Sequence, residues 1–425
     1  MNFDILDKNA RHSREFTEQI NIYKLITKHA QENEEFRNSI DMDRYNNGCI
    51  TYGRLLNRIP KPAECLNIAI LGYKTKGMDP WDPFTCASGL PGSEECVVYA
   101  SQSLAKKGHR VTLYFNPPKK SIWRSPFSNP RYLEENEYDH PDNKAHYDLL
   151  LMWRRFDVET GRRRADKVFF WPHDILPPLP PNSDFPKFDG LCMLSRYHYR
   201  HFMQKFNESF LSIPHTICGN GVLLEQFTEP MSFTNPYSVG YYSNYSRGLI
   251  ILLIIWPIIK QHFPLATLDI YYGREHWGTL TEMMFNEIIN LIEQYKSLGV
   301  TEHGKVGHIE LAQAMQHTSI WAYPCTSMGE TFCITAVKCQ LAGMIPVVTP
   351  YGALEETVSP HAIIIKDIDT PGGIGRYCEA LLGTMENLEK LSEENSYIVR
   401  RSFIQFASKF TWDECVERWL ALYYK

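Results

Sequence analysis

The segment from Trp321 to Val358 combines residues that could bind a ligand carrying both hydroxyl and phosphate groups. Its pattern predicts a strand, a turn at Gly329, a helix that begins just after that glycine, and a second buried strand from Pro346. The first N–H groups of a helix lack partners within it and form an anion site. Here those groups belong to Thr331, Phe332, Cys333 and Ile334. Glu330 adds a carboxylate at the helix start, and a nucleotide-sugar is a ligand that would use both features.

Three other places offer groups that could face the same ligand. His173 and Asp174 follow an apolar strand, and side chains at the carboxyl end of a parallel strand point into the ligand crevice. Asp174 could equally cap the next turn. Gly92 precedes a predicted helix in a glycine-containing loop, which lets backbone approach a ligand but is also typical of ordinary turns. Arg247 lies where a helix should start, and its guanidinium could hold a diphosphate through two hydrogen bonds.

The segment from Trp321 to Val358 resembles the donor-site signature of the retaining glycosyltransferases of family 4, which have the GT-B fold. The positions in register are Pro324, Glu330, Phe332, Ile334, Gln340, Gly343, Pro346, Val347, Val348, Gly352 and Glu356. The resemblance is weaker elsewhere. GYYSNYSRGL is similar to the family's G-R-x-x-x-x-K-G turn, with Arg247 in the Lys position and Ser243 or Asn244 in the region of the missing Arg. HGKVGHIEL is similar to the loop whose backbone reads the nucleobase.

This resemblance implies a role for each candidate residue. Glu330 would fix the hydroxyls of the transferred sugar, His173 would support that sugar, and Arg247 would bind the diphosphate. The further donor-binding candidates are Gly92, Ser243, Gly273, Thr331, Phe332, Cys333, Ile334 and Lys338. Asp174 is the candidate for acceptor binding. The family uses no metal, and the sequence agrees in lacking a D-x-D pair in a plausible strand-end loop, so neither a metal nor another cofactor is expected.

One position departs from the family's pattern. The family has a second Glu eight positions after the first, where it accepts hydrogen bonds from the ribose, whereas this chain has Lys338. A charged lysine can only donate hydrogen bonds. In a helix that begins after Gly329, Lys338 would lie about 12 Å from the anion site, which suits a ribose better than a phosphate. Lys338 could instead reach a phosphate, the nucleotide could sit differently, or the chain could be inactive.

Composition narrows the class of protein. The 425 residues carry a net charge of −5 with acids and bases mixed, which does not indicate a nucleic-acid binder. The 11 cysteines include no C-x-x-C pair, which favours reduced thiols in the cytoplasm over disulfides or structural zinc. No signal peptide opens the sequence. The apolar run from Leu249 to Ile259 is shorter than the ~20 residues of a membrane span and is predicted to be a buried helix.

Two consecutive series of alternating strands and helices predict an α/β protein with two Rossmann-like, doubly wound domains facing a cleft. The predicted parts are an N-terminal helical extension (1–64), an acceptor domain (65–232), a donor domain (233–408) and a C-terminal helix crossing back to the first domain (409–425). The strands are expected near residues 66, 109, 147, 167, 190 and 210, and then near 238, 267, 299, 319, 345 and 362.

The sequence leaves three functions open. The first is transfer of a hexose-type sugar from a nucleotide-sugar, such as a UDP- or GDP-sugar, to a glycan, glycolipid, glycoprotein or other hydroxyl acceptor, with peripheral membrane contact allowed. The second is a non-catalytic module that binds nucleotide-sugar or glycan, for which Lys338 and the missing Arg are the motives. The third is a nucleotide-sugar epimerase. It is not favoured, because the predicted ligand crevice in the first half of the chain shows no clear acid/base pair.

Overall fold

The computed structural model describes residues 18–425 apart from 19, 43–44, 47–48, 50–63, 75–76, 176–184, 207, 229–234, 275–279 and 328. Most of the predicted N-terminal extension therefore lies outside the described residues, as does the predicted boundary at 232–233. Within the extension, residues 20–32 and α1 (Glu34–Ser39) are helical. The predicted domain boundaries at 65, 233 and 409 stay predictions.

A seven-stranded parallel sheet occupies the first half of the chain. Its strands lie in the order β3-β2-β1-β4-β5-β6-β7. The chain builds the sheet outward from β1 on one side and then from β4 on the other, as in a doubly wound sheet. The strands are β1 (Asn67–Leu71), β2 (Arg110–Phe115), β3 (Arg131–Glu134), β4 (Tyr147–Trp153), β5 (Ala165–Trp171), β6 (Gly190–Met193) and β7 (His215–Ile217). The helices that accompany them are α2 (Gly92–Lys106), α3 (Val158–Arg162), α4 (Arg196–Lys205) and α5 (Glu208–Leu211).

A six-stranded parallel sheet follows in the order β10-β9-β8-β11-β12-β13. Its strands are β8 (Ser238–Tyr241), β9 (Thr267–Tyr271), β10 (Val300–Gly304), β11 (Ile320–Tyr323), β12 (Ile345–Val348) and β13 (Ile363–Ile364). The helices are α6 (Leu249–His262), α7 (Glu282–Gln294), α8 (His308–Gln316), α9 (Ile334–Leu341), α10 (Leu354–Thr357), α11 (Gly373–Lys390), α12 (Glu393–Ala407) and α13 (Trp412–Tyr423). This is the strand order of a Rossmann sheet.

Burial of the strands explains why these sequences form parallel sheets. Every residue of β8, β11 and β12 is buried, so both faces of those strands are covered and the apolar runs are continuous. A strand forms at each predicted place, although the one expected near residue 210 is short and begins at His215. The four-residue β3 was not predicted. It is an edge strand whose first and last residues, Arg131 and Glu134, are polar and only partly buried.

The apolar run from Leu249 to Ile259 lies within α6, as predicted, and most of its side chains are buried in the core of the second sheet. Ile254 and Ile258 are exceptions and lie on the surface. Among the described residues, no helix combines the length and apolar character that crossing a membrane requires.

The chain divides into two compact units. The first comprises the described residues of Met1–Pro83, Val97–Pro172 and Pro186–Leu191. The second comprises those of Phe84–Cys96, His173–Phe185 and Cys192–Lys425. Every candidate site residue belongs to the second unit, including those that come from the first half of the sequence, Gly92 and His173.

Candidate functional site

The site begins at the point where the order of the second sheet reverses. Strands β8 and β11 are neighbours there, and the connections that follow them lead away in opposite directions. In open α/β sheets this reversal leaves a crevice at the carboxyl ends of the strands. The connection after β8 carries Ser243 and Arg247, and the connection after β11 carries Glu330. The topology thus brings together residues that are more than 80 positions apart in sequence.

Glu330 is the centre of a hydrogen-bonded group at this crevice. Its Oε2 accepts bonds from Arg247 Nη1 at 3.2 Å and from the Tyr323 hydroxyl at 2.9 Å. The Ser243 hydroxyl lies 3.3 Å from the Tyr323 oxygen and can donate to it. The side chains of Glu330 and Arg247 keep 14% and 28% of their exposure. No described group donates to Glu330 Oε1, so one oxygen of the carboxylate can still accept a bond.

Two of these groups have a fixed charge state. Burial alone would lower the pKa of Arg247, but the Glu330 carboxylate and neighbouring groups together raise it above the ordinary value for arginine. Burial raises the pKa of Tyr323 well above its usual range. The site therefore holds a guanidinium and a neutral phenol at any physiological pH, both donating to one carboxylate oxygen.

The helix after the glutamate begins later than the sequence predicts. The predicted start is just after Gly329, but α9 begins at Ile334 and Cys333 has a left-handed backbone with φ of 65°. The carbonyl of Glu330 accepts from the backbone N–H of Ala353 at 2.8 Å, and the carbonyl of Thr331 accepts from a side chain elsewhere. The left-handed backbone of Cys333 interrupts the right-handed helix, so the helical hydrogen bonds start only from Ile334 onward. The predicted anion site at residues 331–334 is therefore a loop that meets the helix only at Ile334.

Two glycines with positive φ keep this loop close to its neighbours. A Cβ on Gly352 would lie 2.3 Å from the carbonyl oxygen of Glu330. A Cβ on Gly248 would lie 2.0 Å from the carbonyl oxygen of Pro324, at the end of β11. Both positions thus require glycine for close backbone approach as well as for their φ angles of 63° and 99°.

Hydroxyl groups connect the Glu330 loop to His173. The Thr331 side chain donates to the backbone carbonyl of His173 at 2.9 Å. Ser195 donates to the carbonyl of Thr331 at 2.7 Å, and its oxygen caps α4 by accepting from the N–H of His198 at 3.0 Å. The His198 ring donates from Nε2 to the carbonyl of Asp174 at 3.1 Å. We call Thr331, Ser195 and His198 the loop clamp, since they fix the 173–174 backbone to the Glu330 segment.

The remaining members of this region differ in exposure. His173 is buried, whereas Asp174 is exposed. Glu356, which falls in the signature, caps α4 from outside by accepting from the N–H groups of Arg196 and Tyr197 at 2.8 and 2.6 Å. Phe332 is buried and packs edge-to-face on Phe410, with ring centres 5.8 Å apart. Phe332 and Glu356 thus hold the loop in place through packing and helix capping.

A cavity that is partly open to solvent lies in the same unit, with about 500 Å³ of empty space when its open mouth is included. It is bounded by the loop before α2, by the ends of β8 and β9, and by the segment from β10 into α8. The described residues that line it are Gly89, Leu90, Pro91, Tyr242, Tyr271, Tyr272, Lys305, Val306, His308 and Leu311. Gly273, with φ of 91°, is adjacent, since a Cβ there would lie 3.3 Å from Lys305 N. A Cβ on Gly92 would lie 3.2 Å from Ile334 Cγ2.

Lys338 has a partner that the sequence did not indicate. Its Nζ lies 2.7 and 2.8 Å from the two carboxylate oxygens of Glu95, a residue of α2. The two side chains are 7% and 3% exposed. His308 Nε2 lies 3.6 Å from Glu95 Oε2 and 3.2 Å from the Leu90 carbonyl oxygen. Burial lowers the pKa of His308 despite the nearby carboxylate, so its ring is neutral at pH 7.

The distance expected for Lys338 was also wrong, because it assumed an earlier helix start. Lys338 is the fifth residue of α9, roughly 6 Å of helix rise from Ile334 rather than about 12 Å. Its ammonium faces a buried carboxylate. Whether Lys338 touches a donor stays a prediction, but its ammonium already donates a hydrogen bond to Glu95 and is buried with it.

Several groups at the site were missed by sequence reasoning. Tyr323 was visible only as the end of an apolar strand, and Glu95 only as an acid in the first turn of a helix, where the macrodipole alone would favour it. His198 gave no signal at all. Among the described residues, no group of three or more His, Cys, Asp or Glu side chains could hold a metal ion.

Comparison with known proteins adds to this geometry. No family model and no curated protein matches the chain. Its structure is similar to sucrose-phosphate synthase from Thermosynechococcus elongatus (14% identity, TM-score 0.61, covering 84% of this chain and 98% of that chain). It is also similar to a glycosyltransferase from Rickettsia africae (12%, 0.60, 84% and 98%) and to HepE from Anabaena in complex with UDP-glucose (15%, 0.56, 83% and 99%).

These similarities confirm the predicted fold class. Two parallel sheets of seven and six strands with flanking helices, shared over more than four-fifths of this chain, constitute the GT-B fold. At such low identity the likeness concerns the fold, and a fold hosts more than one function. The roles assigned to individual residues remain predictions.

Proposed function

We propose that this chain is a retaining glycosyltransferase that moves a hexose-type sugar from a nucleotide-sugar donor to a hydroxyl group of a glycan or another acceptor. The observation that carries the proposal is the Glu330 carboxylate, held by Arg247 and Tyr323 through one oxygen while no described group donates to the other. A sugar hydroxyl is the natural donor to such an oxygen. The carboxylate would fix the sugar in one orientation, which is how positioning contributes to catalysis.

Arg247 would hold the donor diphosphate. Its guanidinium has five N–H donors in a planar fork, and the contact with Glu330 Oε2 engages only Nη1. The raised pKa keeps the group charged, as the diphosphate requires. Arg247 would therefore connect the diphosphate to the carboxylate that holds the sugar, and so place the bond to be broken next to both groups.

The reaction needs no protein nucleophile in the mechanism that we propose. The acceptor hydroxyl attacks the anomeric carbon on the face from which the diphosphate leaves, and a leaving phosphate oxygen takes the hydroxyl proton. The bond between the anomeric carbon and the phosphate oxygen breaks as the new glycosidic bond forms, so configuration is retained. The protein contributes placement and charge stabilisation, through Arg247 on the diphosphate and Glu330 on the sugar. His173, fixed by the loop clamp, would support the sugar.

The structural neighbours support the choice of donor class. One of them was determined in complex with UDP-glucose, and others are named as sucrose-phosphate synthase and as a glycosyltransferase. The tyrosine-lined cavity is where the resembling family's nucleobase loop falls in this chain, at residues 305–311. We therefore assign the nucleoside part of the donor to that cavity.

A screen of nucleotide-sugars tests this function. Thermal shift with UDP-, GDP-, ADP- and dTDP-sugars identifies the donor, because a ligand that binds the folded state at about 100 times its Kd stabilises it by ~2.7 kcal/mol. The donor is then incubated with glycan acceptors, and proton NMR of the product reads the anomeric configuration. A product with inverted configuration would refute the retaining mechanism. Turnover should persist in excess EDTA, and its loss with recovery on adding Mn²⁺ would show that metal is needed.

A second candidate, a non-catalytic binding module, is favoured by one observation. Lys338 occupies the position where the resembling family has a carboxylate, and it forms a buried ion pair with Glu95. Such a module would bind a nucleotide-sugar in the screen yet transfer nothing to any acceptor and release no sugar to water. We favour the transferase, because Arg247 joined to Glu330 would place the bond between sugar and diphosphate beside both groups, an arrangement that transfer uses and binding alone does not require.

A further inference from the structure

The tyrosine-lined cavity has an unusual inventory of hydrogen-bonding groups. Among the described residues that line it, none is acidic, and Lys305 brings a positive charge. Two of its backbone carbonyls lie close to other protein groups. The Leu90 carbonyl lies 3.2 Å from His308 Nε2, and the Val306 carbonyl faces Gly89 so closely that a Cβ there would lie 2.5 Å away. The cavity therefore offers hydroxyl groups and donors, but no carboxylate from the described part of the chain.

The carboxylate behind the His308 wall lies against Lys338, whose ammonium donates a hydrogen bond to Glu95 Oε2. Oε1 faces the same ammonium but takes no hydrogen bond from the described part of the chain. Both oxygens of Glu95 lie within 2.8 Å of Lys338 Nζ, and Oε2 also faces His308 Nε2 at 3.6 Å. With side chains 3% and 7% exposed, Glu95 and Lys338 are closed off from any ligand. Separating them would leave a buried charge without its partner, which is costly. Neither group is thus positioned to exchange its partner for a ligand hydroxyl.

Two other acidic residues lie near the cavity but are not among the described residues that line it. Asp269 and Glu310 both help burial to raise the pKa of Tyr271 to about 12, so they lie near that side chain. Asp269 accepts from His303 at 2.7 Å, and Glu310 is exposed on α8. His303 itself stacks on Tyr271 with ring centres 4.3 Å apart, which places it behind the tyrosine. These acids are therefore part of the support for the wall.

We propose that this cavity binds the nucleoside of the donor with no carboxylate of the described residues reading the pentose hydroxyls, so that the site takes 2′-deoxyribonucleotides nearly as well as ribonucleotides. The inference rests on the proposed function, which assigns the nucleoside to the cavity. A site built to hydrogen-bond a hydroxyl rejects an analogue lacking it, because its own buried group is left unpaired. Here the buried carboxylate is paired with Lys338 whether or not the hydroxyl is present.

Isothermal titration of matched nucleotides tests the proposal. The wild-type chain is titrated with UDP and 2′-deoxy-UDP, and with the corresponding ADP and GDP pairs. Neutral hydroxyl contacts are worth up to about tenfold in affinity and charged ones more than that. We expect the deoxy form of the best-binding nucleotide to lose less than tenfold. A loss of tenfold or more overturns the inference and leaves the proposed function standing. If no nucleoside diphosphate binds, the proposed function fails, and the inference with it.

A double variant tests whether the pair of Glu95 and Lys338 contacts the ligand. Glu95→Leu with Lys338→Met replaces the ion pair by apolar side chains of similar volume, a change that buried pairs often tolerate. We expect UDP affinity within about threefold of wild type, since neither charge contacts the ligand, and an unchanged ratio between ribo and deoxy forms. Glu95→Gln with Lys338→Gln serves if the apolar pair fails to fold. A tenfold change in UDP affinity, at unchanged melting temperature, would show that the pair reads the ligand and would overturn the proposal.

Discussion

The region around Glu330 and the region around Lys338 each contain an ion pair between a carboxylate and a cation, but the two pairs differ in their exposure to solvent. Each has a carboxylate facing a cation, at 3.2 Å for Arg247 with Glu330 and at 2.7 Å for Lys338 with Glu95. In the first pair the side chains are partly exposed, and one carboxylate oxygen takes no bond from the described residues. In the second pair both side chains are nearly fully buried, and both oxygens face the same ammonium.

If the proposed function holds, the difference separates an ion pair that binds a ligand from one that is structural. A carboxylate oxygen that accepts no protein hydrogen bond costs little when it lies next to solvent, and it can accept a hydrogen bond from a ligand. A buried pair is closed off from a ligand whatever acceptors it keeps, and breaking it leaves an unpaired buried charge, which is costly. We therefore expect variants of the Glu330 region to lose function at constant stability, and variants of the Lys338 region to lose stability first.

The largest expected effect is that of Lys338→Met. It leaves the Glu95 carboxylate buried with no cation, which should lower the free energy of unfolding by about 3–5 kcal/mol. Urea unfolding followed by circular dichroism measures this loss. The double variant Glu95→Leu with Lys338→Met is the control, and it should recover most of the stability. If the single variant is as stable as wild type, the ion pair is not structural and the comparison fails.

Glu330→Gln should produce the next largest effect, on turnover. The amide keeps the size of the side chain but removes the charge facing Arg247, and loss of one preorganised contact of this kind costs about 10²-fold or more in kcat. Glu355→Gln, an exposed residue of α10, is the matched control and should leave kcat unchanged. The melting temperatures of both variants should stay close to wild type. Wild-type turnover in Glu330→Gln would remove the carboxylate from the mechanism.

The sequence predicted the sheets well for a simple physical reason. Fully buried parallel strands are continuous apolar runs, and each run predicted as a strand became one. The edge strand β3 was not predicted, because its apolar run is only two residues long, between Arg131 and Glu134. The other edge strands, β7, β10 and β13, were predicted, so the shortness of its apolar run and not its edge position hid β3.

The site was predictable only where it depends on local sequence. Glu330 and Arg247 come together because each follows a strand at the reversal of the sheet, and both strands were visible. The start of α9 was misjudged because Cys333 has a left-handed backbone, in a loop that Ser195, 136 positions from Thr331, helps to hold. Glu95 lies 243 positions from Lys338. A buried lysine calls for an acidic partner, but a single sequence does not say which acid supplies it.

Acid should destabilise the chain through a member of the loop clamp. Burial lowers the pKa of His198 to about 4, from an ordinary value near 6.5. Because the folded state holds the neutral ring, its stabilising effect is complete above pH 6.5, declines as the pH falls to about 4, and changes no further below that. Between pH 7.5 and 4.5 this one group should remove roughly 2–3 kcal/mol.

The test compares wild type with His198→Leu by urea unfolding at both pH values. The variant should be less stable at pH 7.5, since the Asp174 carbonyl loses its donor, but it should lose roughly 2–3 kcal/mol less than wild type on acidification. Equal losses in the two proteins would mean that His198 is not the titrating group. The result sharpens the comparison, because it identifies a structural group that is separate from both ion pairs.

Arg247→Ala should weaken binding of the free nucleoside diphosphate by about 1.5–3 kcal/mol, the value of a hydrogen bond to a charged group. Isothermal titration measures the change, and Arg401→Ala, at an exposed arginine of α12, is the control that should bind like wild type. Folding should be little affected, because Arg247 is partly exposed. Undiminished affinity in Arg247→Ala would show that this ion pair, too, is structural, and the contrast between the two regions would disappear.

The smallest effect is expected at Thr331, whose hydroxyl holds the carbonyl of His173 at 2.9 Å. Thr331→Val keeps the shape of the side chain and removes one neutral hydrogen bond, worth about 1 kcal/mol, so kcat should fall roughly fivefold. Thr331→Ser keeps the hydroxyl and should restore turnover. The affinity for nucleoside diphosphate should be equal in all three proteins, because the clamp acts on the sugar side alone. If Thr331→Val instead weakens binding of the diphosphate and Thr331→Ser does not, the loop binds phosphate directly, as the sequence pattern predicts. Thr331 would then be a binding residue, like Glu330, and not a residue that only positions His173.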